Sequence, residues 1–449
     1  MNFPKFQRIA QPQILNADAI RPEQIFSAVQ NTLDQVFPRS DDANRQSVTP
    51  KIAMGVGSRG IANIDIIVKS AVDVFVARGY QVFIVPAMGS HGGSNAAGQC
   101  ATLAHYGITE ESMGVAIEAS METVEATTSG DIVVGCAEVA WQPDTLLFPI
   151  GRVKAHTNIL AERTQSGLRK MLLIGFGKRK YAQSYHAVAR PRGLRKWARS
   201  IKKRWPTTRR RADGTNGLGP VIESVTETLI ATGHVLGGLA IVDGPNHGTH
   251  LLEAVAAEQF MTREPELLAL ADSLMPTFPL DEIGVLHLGQ IGKAISGSSA
   301  DPNVISRRLD GTRRVEGKGE TPIGVVCASK PHPDTDGNLI GINGVDVVTQ
   351  ELADARGEAT YENGRSAGSM EGCEPRLIKT DDRAMIEWAL QQVRGDLPVV
   401  SVRDTLSLGE LIVDESALAR LNGSAEIDRI GEPFDPEFDD GQLVNFWSV

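Results

Sequence analysis

The sequence has 449 residues, of which 41% are hydrophobic, 22% charged and 5% aromatic. A chain of this length and composition supports two or three packed domains, which excludes a disordered chain, a collagen and a miniature protein. The formal net charge of −10 disfavours general nucleic-acid binding. Four cysteines stand far apart with no CxxC pair, so we expect neither a disulfide framework nor a zinc ribbon.

The chain carries no sign of a membrane span or an export signal. No apolar run reaches the ~18–20 residues that a transmembrane helix needs. The first residues, MNFPKFQRIAQPQ, lack the basic-then-apolar layout of a secretion signal. We therefore expect a cytoplasmic protein without a membrane partner.

The predicted elements alternate between strands and helices. After a helix near EQIFSAVQNTLDQVF, the apolar and amphipathic segments are KIAMGV (strand), IDIIVKSAVDVFVARG (helix), QVFIVPA (strand), NAAGQCATLAHYG (helix), DTLLFPI (strand), VIESVTETLIATG (helix), GGLAIVDG (strand) and PELLALADSLMP (helix). Gly79 is suited to end the first of the alternating helices. This alternation predicts parallel pairing with right-handed crossovers.

A domain boundary is expected where MPTFPLDE interrupts this pattern, at residues 276–280. We expect the fold class α/β, with two α/β domains, mainly parallel sheets and a ligand site in the cleft between them. Residues 1–278 are expected to form the first domain. Residues 279–449 close the cleft, through IGVLHLG, TPIGVVCAS and DDRAMIEWALQQV. The tail from about residue 397, including LPVVSV, is expected to pack back on the first domain.

Ligands of open parallel sheets bind at the carboxyl ends of the strands. Three of the predicted strands end in turns with cationic, hydroxyl or imidazole side chains: Ser58 and Arg59 in GSRG, His91 in MGSHGG, and Arg152, Lys154 and His156 in GRVKAH. Glycines such as Gly92 and Gly93 let the backbone approach a phosphate or carboxylate and offer N–H groups to it. Three such turns together indicate an anion-handling crevice.

Other candidates are weaker when taken singly. Lys170 lies between Arg169 and an apolar run, and a partly desolvated lysine beside another cation is a usable nucleophile. Taken alone, Lys170 is more often a surface lysine and His186 a structural histidine. Gln290 and Lys293 follow a strand of the second domain and could reach a cleft between domains.

Several common catalytic motifs are missing from the sequence. There is no HxxxH or HExxH pair, no Walker A loop and no kinase signature. The sequence therefore does not predict a zinc protease or a nucleotide kinase.

Residues 190–211 (RPRGLRKWARSIKKRWPTTRRR) form a basic run without an acidic residue. Such a run is most often a solvated loop or helix face. It could also be a flap that faces an anion at the active site, or a patch for a polyanion.

In combination, the motifs resemble one known family: the nickel-pincer-nucleotide-dependent lactate racemases and related 2-hydroxy-acid racemases. The matching strings are GVGSRGI, PAMGSHGG, RVKAHT, SGLRKM followed by His186, and LGQIGKAISG, with YENGRS near Tyr361. Their order and the interval from Lys170 to His186 make the set more specific than any single string.

The resemblance implies a cofactor with a pyridinium ring, two sulfur-containing arms and a phosphoribosyl tail. It implies that residues 1–278 are the catalytic and cofactor-attachment domain and that the active site lies in the cleft. In that domain Lys170 would join the cofactor covalently through a thioamide, and His186 would be a ligand of its nickel. Residues that would contact the cofactor are Ser58, Gly92 and Gly93. Soft sulfur, carbon and imidazole donors suit nickel.

The resemblance also implies how the substrate is handled. His91 and His156 would be the acid/base pair. Arg59 and Lys293 would hold the substrate carboxylate, and Gln290 would be a nearby polar contact to the substrate. Removing hydrogen as hydride avoids a carbanion, while a histidine on each side takes the hydroxyl proton of either enantiomer. The string ISGSSADPN and the local cations favour a larger or more anionic acid than lactate, such as a dicarboxylate or a sugar acid.

Three other functions stay open from the sequence. One is a different redox isomerisation or dehydrogenation on the same cofactor. Another is a non-catalytic protein that binds a nucleotide or an acidic ligand, and the last is nucleic-acid binding through residues 190–211. The expected partners are a small 2-hydroxy acid and the proteins of cofactor biosynthesis, with nucleic acid disfavoured.

Overall fold

The computed structural model describes residues 3–37, 50–58, 60–89, 91–156, 163–189, 218–307, 321–367, 370–421, 423 and 426–447. Arg59 and the basic run 190–211 lie outside these residues. His186 is described by its backbone alone.

The strands and helices follow one another along the whole described chain. In chain order the strands are β1 (Phe6–Ala10), β2 (Lys51–Val56), β3 (Gln81–Pro86), β4 (Thr123–Ser129), β5 (Ile132–Ala137), β6 (Thr145–Arg152), β7 (Gly237–Asp243), β8 (Thr249–Ala256), β9 (Ile283–Ile291), β10 (Ile323–Pro331), β11 (Val347–Thr349), β12 (Ile378–Lys379), β13 (Val399–Val402), β14 (Glu410–Asp414), β15 (Asp428–Phe434), β16 (Phe438–Asp439) and β17 (Gln442–Leu443). The helices are α1 (Pro12–Leu15), α2 (Pro22–Val36), α3 (Ile64–Ala77), α4 (Ala96–His105), α5 (Glu110–Met113), α6 (Leu168–Lys170), α7 (Lys178–Ala189), α8 (Leu218–Ala231), α9 (Phe260–Ser273), α10 (Lys293–Ser296), α11 (Gln350–Asp354), α12 (Glu358–Ala367), α13 (Asp382–Gln391) and α14 (Glu415–Leu418).

The protein consists of two α/β units with mainly parallel sheets. The first unit is Asp18–Leu274, and the second unit combines Met1–Ala17 with Met275–Val449. The division expected from the sequence, 1–278 and 279–449, differs from this at the start of the chain. Residues 1–17 lie with the second unit because β1 hydrogen-bonds to both β14 and β15.

The first unit is built on a five-stranded sheet with the order β3-β2-β6-β7-β8. The first four of these strands are parallel, and β8 runs antiparallel to β7. In this register Val56 at the end of β2 lies opposite Pro86 of β3 and Ile150 of β6. The carboxyl ends of these strands therefore lie at one edge of the sheet, which we call the carboxyl edge.

Both faces of this sheet are buried, which explains why its strands read as continuous apolar runs. Ile52 and Met54 of β2 pack into one cluster with α2 and α3. Ala53, between them, faces a second cluster with α8 and α9. A fully buried aliphatic side chain of this kind contributes roughly 1.5–3 kcal/mol by leaving water.

The second unit is built on an eight-stranded sheet with the order β12-β11-β10-β9-β13-β14-β1-β15. Strands β12 to β13 in this order are parallel, and β14, β1 and β15 are joined by antiparallel pairs. The segment after residue 397, for which packing on the first domain was expected, supplies β13, β14 and β15 to this sheet.

The α/β repeats predicted from the sequence are confirmed as elements. The helix predicted to end near Gly79 is α3, and Gly79 adopts a positive φ of 86° just beyond it. The antiparallel strand β8 and the hairpin of β4 and β5 were not predicted. Within the described ranges, every helix is too short or too polar to cross a bilayer.

Candidate active site

The three turns singled out in the sequence meet at the carboxyl edge. Ser58 follows β2, His91 follows β3, and His156 follows β6, and the parallel register aligns these strand ends. Each of the three residues is half-buried. The strand ends that carry these three residues therefore lie side by side in the first unit.

Ser58 and His91 are in direct contact. The Oγ of Ser58 hydrogen-bonds to Nδ1 of His91, across 33 positions of sequence. The backbone oxygen of Ser58 also accepts a hydrogen bond of 3.3 Å from the Tyr106 hydroxyl. The serine thus orients the imidazole, and the strand end that carries Ser58 is itself held in place.

The loop after His91 packs closely on the start of α4. Gly92 has a φ of 62°, and a Cβ there would lie 2.8 Å from the backbone nitrogen of Gln99. Asn95 caps α4 by accepting a 2.8 Å hydrogen bond from the Gly98 backbone N–H. A glycine at position 92 is therefore required by both the backbone angle and the close approach.

The segment that carries Lys170 lies across the carboxyl edge. Lys170 is half-buried at the end of α6, and a π-helical turn, Met171–Gly175, follows it. A Cβ on Gly151 of β6 would lie 2.1 Å from Sδ of Met171, and one on Gly175 would lie 2.6 Å from the backbone oxygen of Ala87, just after β3. Lys170 is thus attached to a segment that contacts the ends of two site-bearing strands.

A short antiparallel contact joins the turn that carries His156 to the residues before Lys170. The backbone N–H of His156 donates to Oε1 of Gln165 at 2.7 Å. Lys154 and Ser166 exchange backbone hydrogen bonds of 3.1 and 3.3 Å. The turn that carries His156 is therefore tied to the residues directly before Lys170.

Arg169 is paired rather than directed at Lys170. Its side chain is 1% exposed, and its Nε donates to Oε1 of Glu264 at 2.7 Å. The backbone N–H of Arg169 donates to the other oxygen of the same carboxylate at 3.0 Å. Glu264 therefore balances the positive charge of Arg169, which the sequence predicted to activate Lys170.

Arg152, another predicted cation of the crevice, is also paired. Its guanidinium donates to Oδ2 of Asp243 at 2.6 Å, and both side chains are only 13% exposed. The second oxygen of Asp243 is buried without a hydrogen-bond partner among the described residues. The ion pair joins the ends of β6 and β7 at the carboxyl edge.

Gln290 and Lys293 belong to the second unit, at the carboxyl end of β9. The amide of Gln290 donates to Oδ2 of Asp404 at 3.1 Å. The Nζ of Lys293 donates to Oδ1 of Asn363 at 2.8 Å, within the YENGRS segment. Their expected role with a substrate carboxylate stays a prediction.

The remaining predicted residues are described only in part. Arg59 lies outside the described residues, and the backbone of His186 lies in α7, which begins eight residues earlier at Lys178. Among the described side chains, no three His, Cys, Asp or Glu residues converge as metal ligands. The expected nickel site takes only one ligand from the protein, His186.

Sequence reasoning missed two buried polar residues beside the carboxyl edge, Lys178 and Gln99. Both are completely buried. Burial lowers the pKa of Lys178 from 10.5 to about 8, and the neighbouring thiols of Cys136 and Cys100 oppose that shift. The only signal in the sequence was a lysine that follows directly on the apolar run MLLIGFG.

Fold and site together define a class: an α/β protein of two units whose first unit gathers hydroxyl and imidazole side chains at the ends of parallel strands, with a lysine-bearing segment packed across them. No protein-family model matches the chain, and no curated protein matches it. Among solved structures, the chain is similar to the lactate racemase apoprotein from Thermoanaerobacterium thermosaccharolyticum. The identity is 12% and the TM-score 0.48, over 85% of this chain and 92% of that chain. At these values the likeness concerns the fold and carries no argument about function.

Proposed function

We propose that this chain is a racemase or epimerase of a 2-hydroxy acid that uses a nickel-pincer nucleotide attached to Lys170. The observation that carries the proposal is the packing of the Lys170 segment across the carboxyl edge, where Ser58, His91 and His156 follow their strands. The sequence motifs that resemble the racemase family fall on these same positions.

The donor groups fit this cofactor. Lys170 supplies an amine that can form a thioamide, and His186 supplies an imidazole, a donor that suits nickel. The tight loop of His91, Gly92 and Gly93 would face the nucleotide together with Ser58. When bound, the cofactor would supply a ring that accepts and returns hydride.

The two histidines would move the proton of the substrate hydroxyl. Because Nδ1 of His91 is engaged by Ser58, proton exchange with a substrate falls to Nε2. His156, which follows β6 on the other side of β2, would serve the opposite enantiomer. An acid/base group on each side matches a reaction in which either enantiomer is the substrate.

The family resemblance assigns the substrate carboxylate to Arg59 and Lys293, with Gln290 as a nearby polar contact. A cationic clamp on the carboxylate would keep it fixed while the hydroxyl-bearing carbon turns. Lys293 is already oriented by Asn363, at 2.8 Å, which limits the entropy lost when it binds an anion.

Mass spectrometry of protein from a host that makes the cofactor tests this proposal. We expect an added mass on the peptide that contains Lys170 and stoichiometric nickel by elemental analysis, and we expect both to be lost in Lys170→Ala. Lys180→Ala is the matched control, because Lys180 is an exposed lysine nearby in the chain. It should keep the adduct.

An unmodified Lys170 peptide from such a host would contradict the proposal and favour a protein that binds an acidic ligand without catalysis. If the adduct forms, single-enantiomer 2-hydroxy acids read by chiral chromatography distinguish racemisation from another redox reaction. In the racemase, His91→Ala and His156→Ala should each lose turnover and keep the adduct.

A further inference from the structure

Lys178 is a buried cation beside the carboxyl edge. It begins α7, its side chain is completely buried, and its Nζ donates to the backbone oxygen of Pro86 at 2.8 Å. Pro86 is the last residue of β3, directly before the loop that carries His91. The ammonium also donates to Oε1 of Gln99 at 3.1 Å.

Gln99 continues this contact to the His91 loop. It is completely buried in α4, and its Nε2 donates to the backbone oxygen of Gly89 at 3.1 Å and to that of His91 at 3.4 Å. One amide therefore accepts from the lysine and donates to the backbone on both sides of position 90. The loop is held at its base by Lys178 and along its length by Gln99.

Burying Lys178 in this way costs free energy, and the fold itself does not require a buried cation at this position. A buried ammonium loses its hydration, and Lys178 also has a positive φ of 52°, a strained conformation for a residue with a Cβ. The next two residues, Arg179 and Lys180, are exposed, so an outward-facing cation is easily accommodated here. Strained and desolvated groups of this kind concentrate at functional sites.

We propose that Lys178 and Gln99 are positioning residues that hold the His91 loop in the conformation needed for proton transfer. This inference rests on the proposed function, in which His91 is an acid/base group. A displacement of a reacting group by about 1 Å can lower a rate by about a hundredfold, so a loop that carries such a group needs fixed supports.

The same lysine links two parts of the candidate site. Lys178 lies eight residues before His186 in one helix, or about 12 Å along its axis at 1.5 Å per residue. Fastening the start of α7 to the end of β3 therefore fixes where that helix starts relative to the His91 loop.

Two variants separate the contacts. Gln99→Glu keeps an oxygen that accepts from Lys178 but removes the amide that donates to Gly89 and His91. Lys178→Met removes the ammonium and keeps the length of the side chain. Ile67→Val is the control, because Ile67 of α3 is equally buried but its apolar side chain makes no hydrogen bond to the His91 loop.

Hydrogen–deuterium exchange of the cofactor-free protein tests the support of the loop. We expect peptides that cover residues 87–95 to exchange at least tenfold faster in Gln99→Glu and in Lys178→Met, with wild-type exchange there in Ile67→Val. Unchanged exchange in 87–95 in both variants, or an equal rise over the whole first unit, would overturn the inference. If Lys178→Met does not fold, Gln99→Glu decides alone.

Kinetics of the loaded enzyme test the consequence for catalysis. Both variants should lower kcat about tenfold, with KM within twofold and the mass adduct on the Lys170 peptide retained. A wild-type kcat in a variant whose loop exchanges faster would also overturn the inference. A missing adduct in the wild type would count against the proposed function instead, and the exchange result would stand by itself.

Discussion

His91 is held at two points, its ring by Ser58 and its backbone by Gln99. The sequence predicted that the turns carrying Ser58 and His91 would line one crevice, because the ends of parallel strands share one edge of a sheet, but it did not predict the hydrogen bond between the two side chains. It could not predict Gln99 and Lys178, whose contact spans 79 residues and depends on how α4 and α7 pack. For the same reason the sequence predicted that Arg169 would act on its chain neighbour Lys170. Its ion-pair partner Glu264 lies 95 residues away and could not be predicted.

Ser58→Ala tests the orientation of the imidazole. The substitution removes one hydrogen bond to the ring, worth about 1–1.5 kcal/mol, so kcat should fall about tenfold while KM changes little. Steady-state kinetics of the loaded enzyme measure this. Ser273→Ala is the control, since Ser273 is an exposed residue at the end of α9; equal kinetics in the two variants would argue against an orienting role for Ser58.

His287 makes the second unit sensitive to acid. It is buried between the hydroxyls of Ser401 and Ser329, each 2.7 Å from a ring nitrogen. Burial lowers its pKa to about 4, while the charge of Asp382 opposes the shift. Between this value and the unfolded pKa of about 6.5, the unfolded chain binds the proton more readily, so stability falls as the pH falls through this window.

The expected size of this effect is about 2 kcal/mol between pH 7.5 and pH 5. Urea unfolding of the second unit at the two pH values measures it. In His287→Gln the imidazole is gone, so the difference between the two pH values should shrink by about that amount, whatever the absolute stability of the variant. An undiminished difference would show that another group is responsible.

Among the elements, the π-helical turn Met171–Gly175 positions Lys170 by close backbone contact. The apolar character of this segment is visible in the sequence, but its packing is not. Gly151 and Gly175 allow a close approach, and the atoms that approach them are known only from the structure. The polar strand β4 (TVEATTS) was missed because its apolar positions do not alternate clearly, and β8 because it breaks the strand–helix rhythm.

Gly175→Ala tests this contact. The new methyl group would lie 2.6 Å from the backbone oxygen of Ala87, which cannot rotate away, so the segment must shift. We expect a loss of about 1–3 kcal/mol in stability and slower formation of the Lys170 adduct. Gly395→Ala is the control, because a Cβ there meets nothing within 4 Å. Thermal denaturation and a mass-spectrometric time course measure the two effects.

At the scale of the whole molecule, the α/β class and the two-unit organisation followed from composition and alternation, while the path of the first residues did not. β1 is a short strand of five residues, FQRIA, whose partners, β14 and β15, come about 400 positions later. A pairing over such a distance has no signature in a single sequence.

Ile9→Ala tests which of the two units β1 stabilises. Ile9 is completely buried in the core of the second unit, so its truncation should cost about 2–5 kcal/mol. Hydrogen exchange should rise in residues 275–447 and stay at wild-type values in residues 50–274. Val76→Ala, at an exposed position of α3, should change neither region. A rise confined to the first unit would contradict the observed pairing of β1.

The position of β1 also affects how the protein folds during its synthesis on the ribosome. The first unit is contiguous in the chain and can close as soon as its last residues emerge, but β1 is translated first and must wait for β14 and β15. At about 5–20 residues per second that delay is roughly 20–80 s. Throughout this time β1 stays without its sheet, and the side chains of Phe6 and Ile9, which are buried in the folded unit, stay accessible to chaperones.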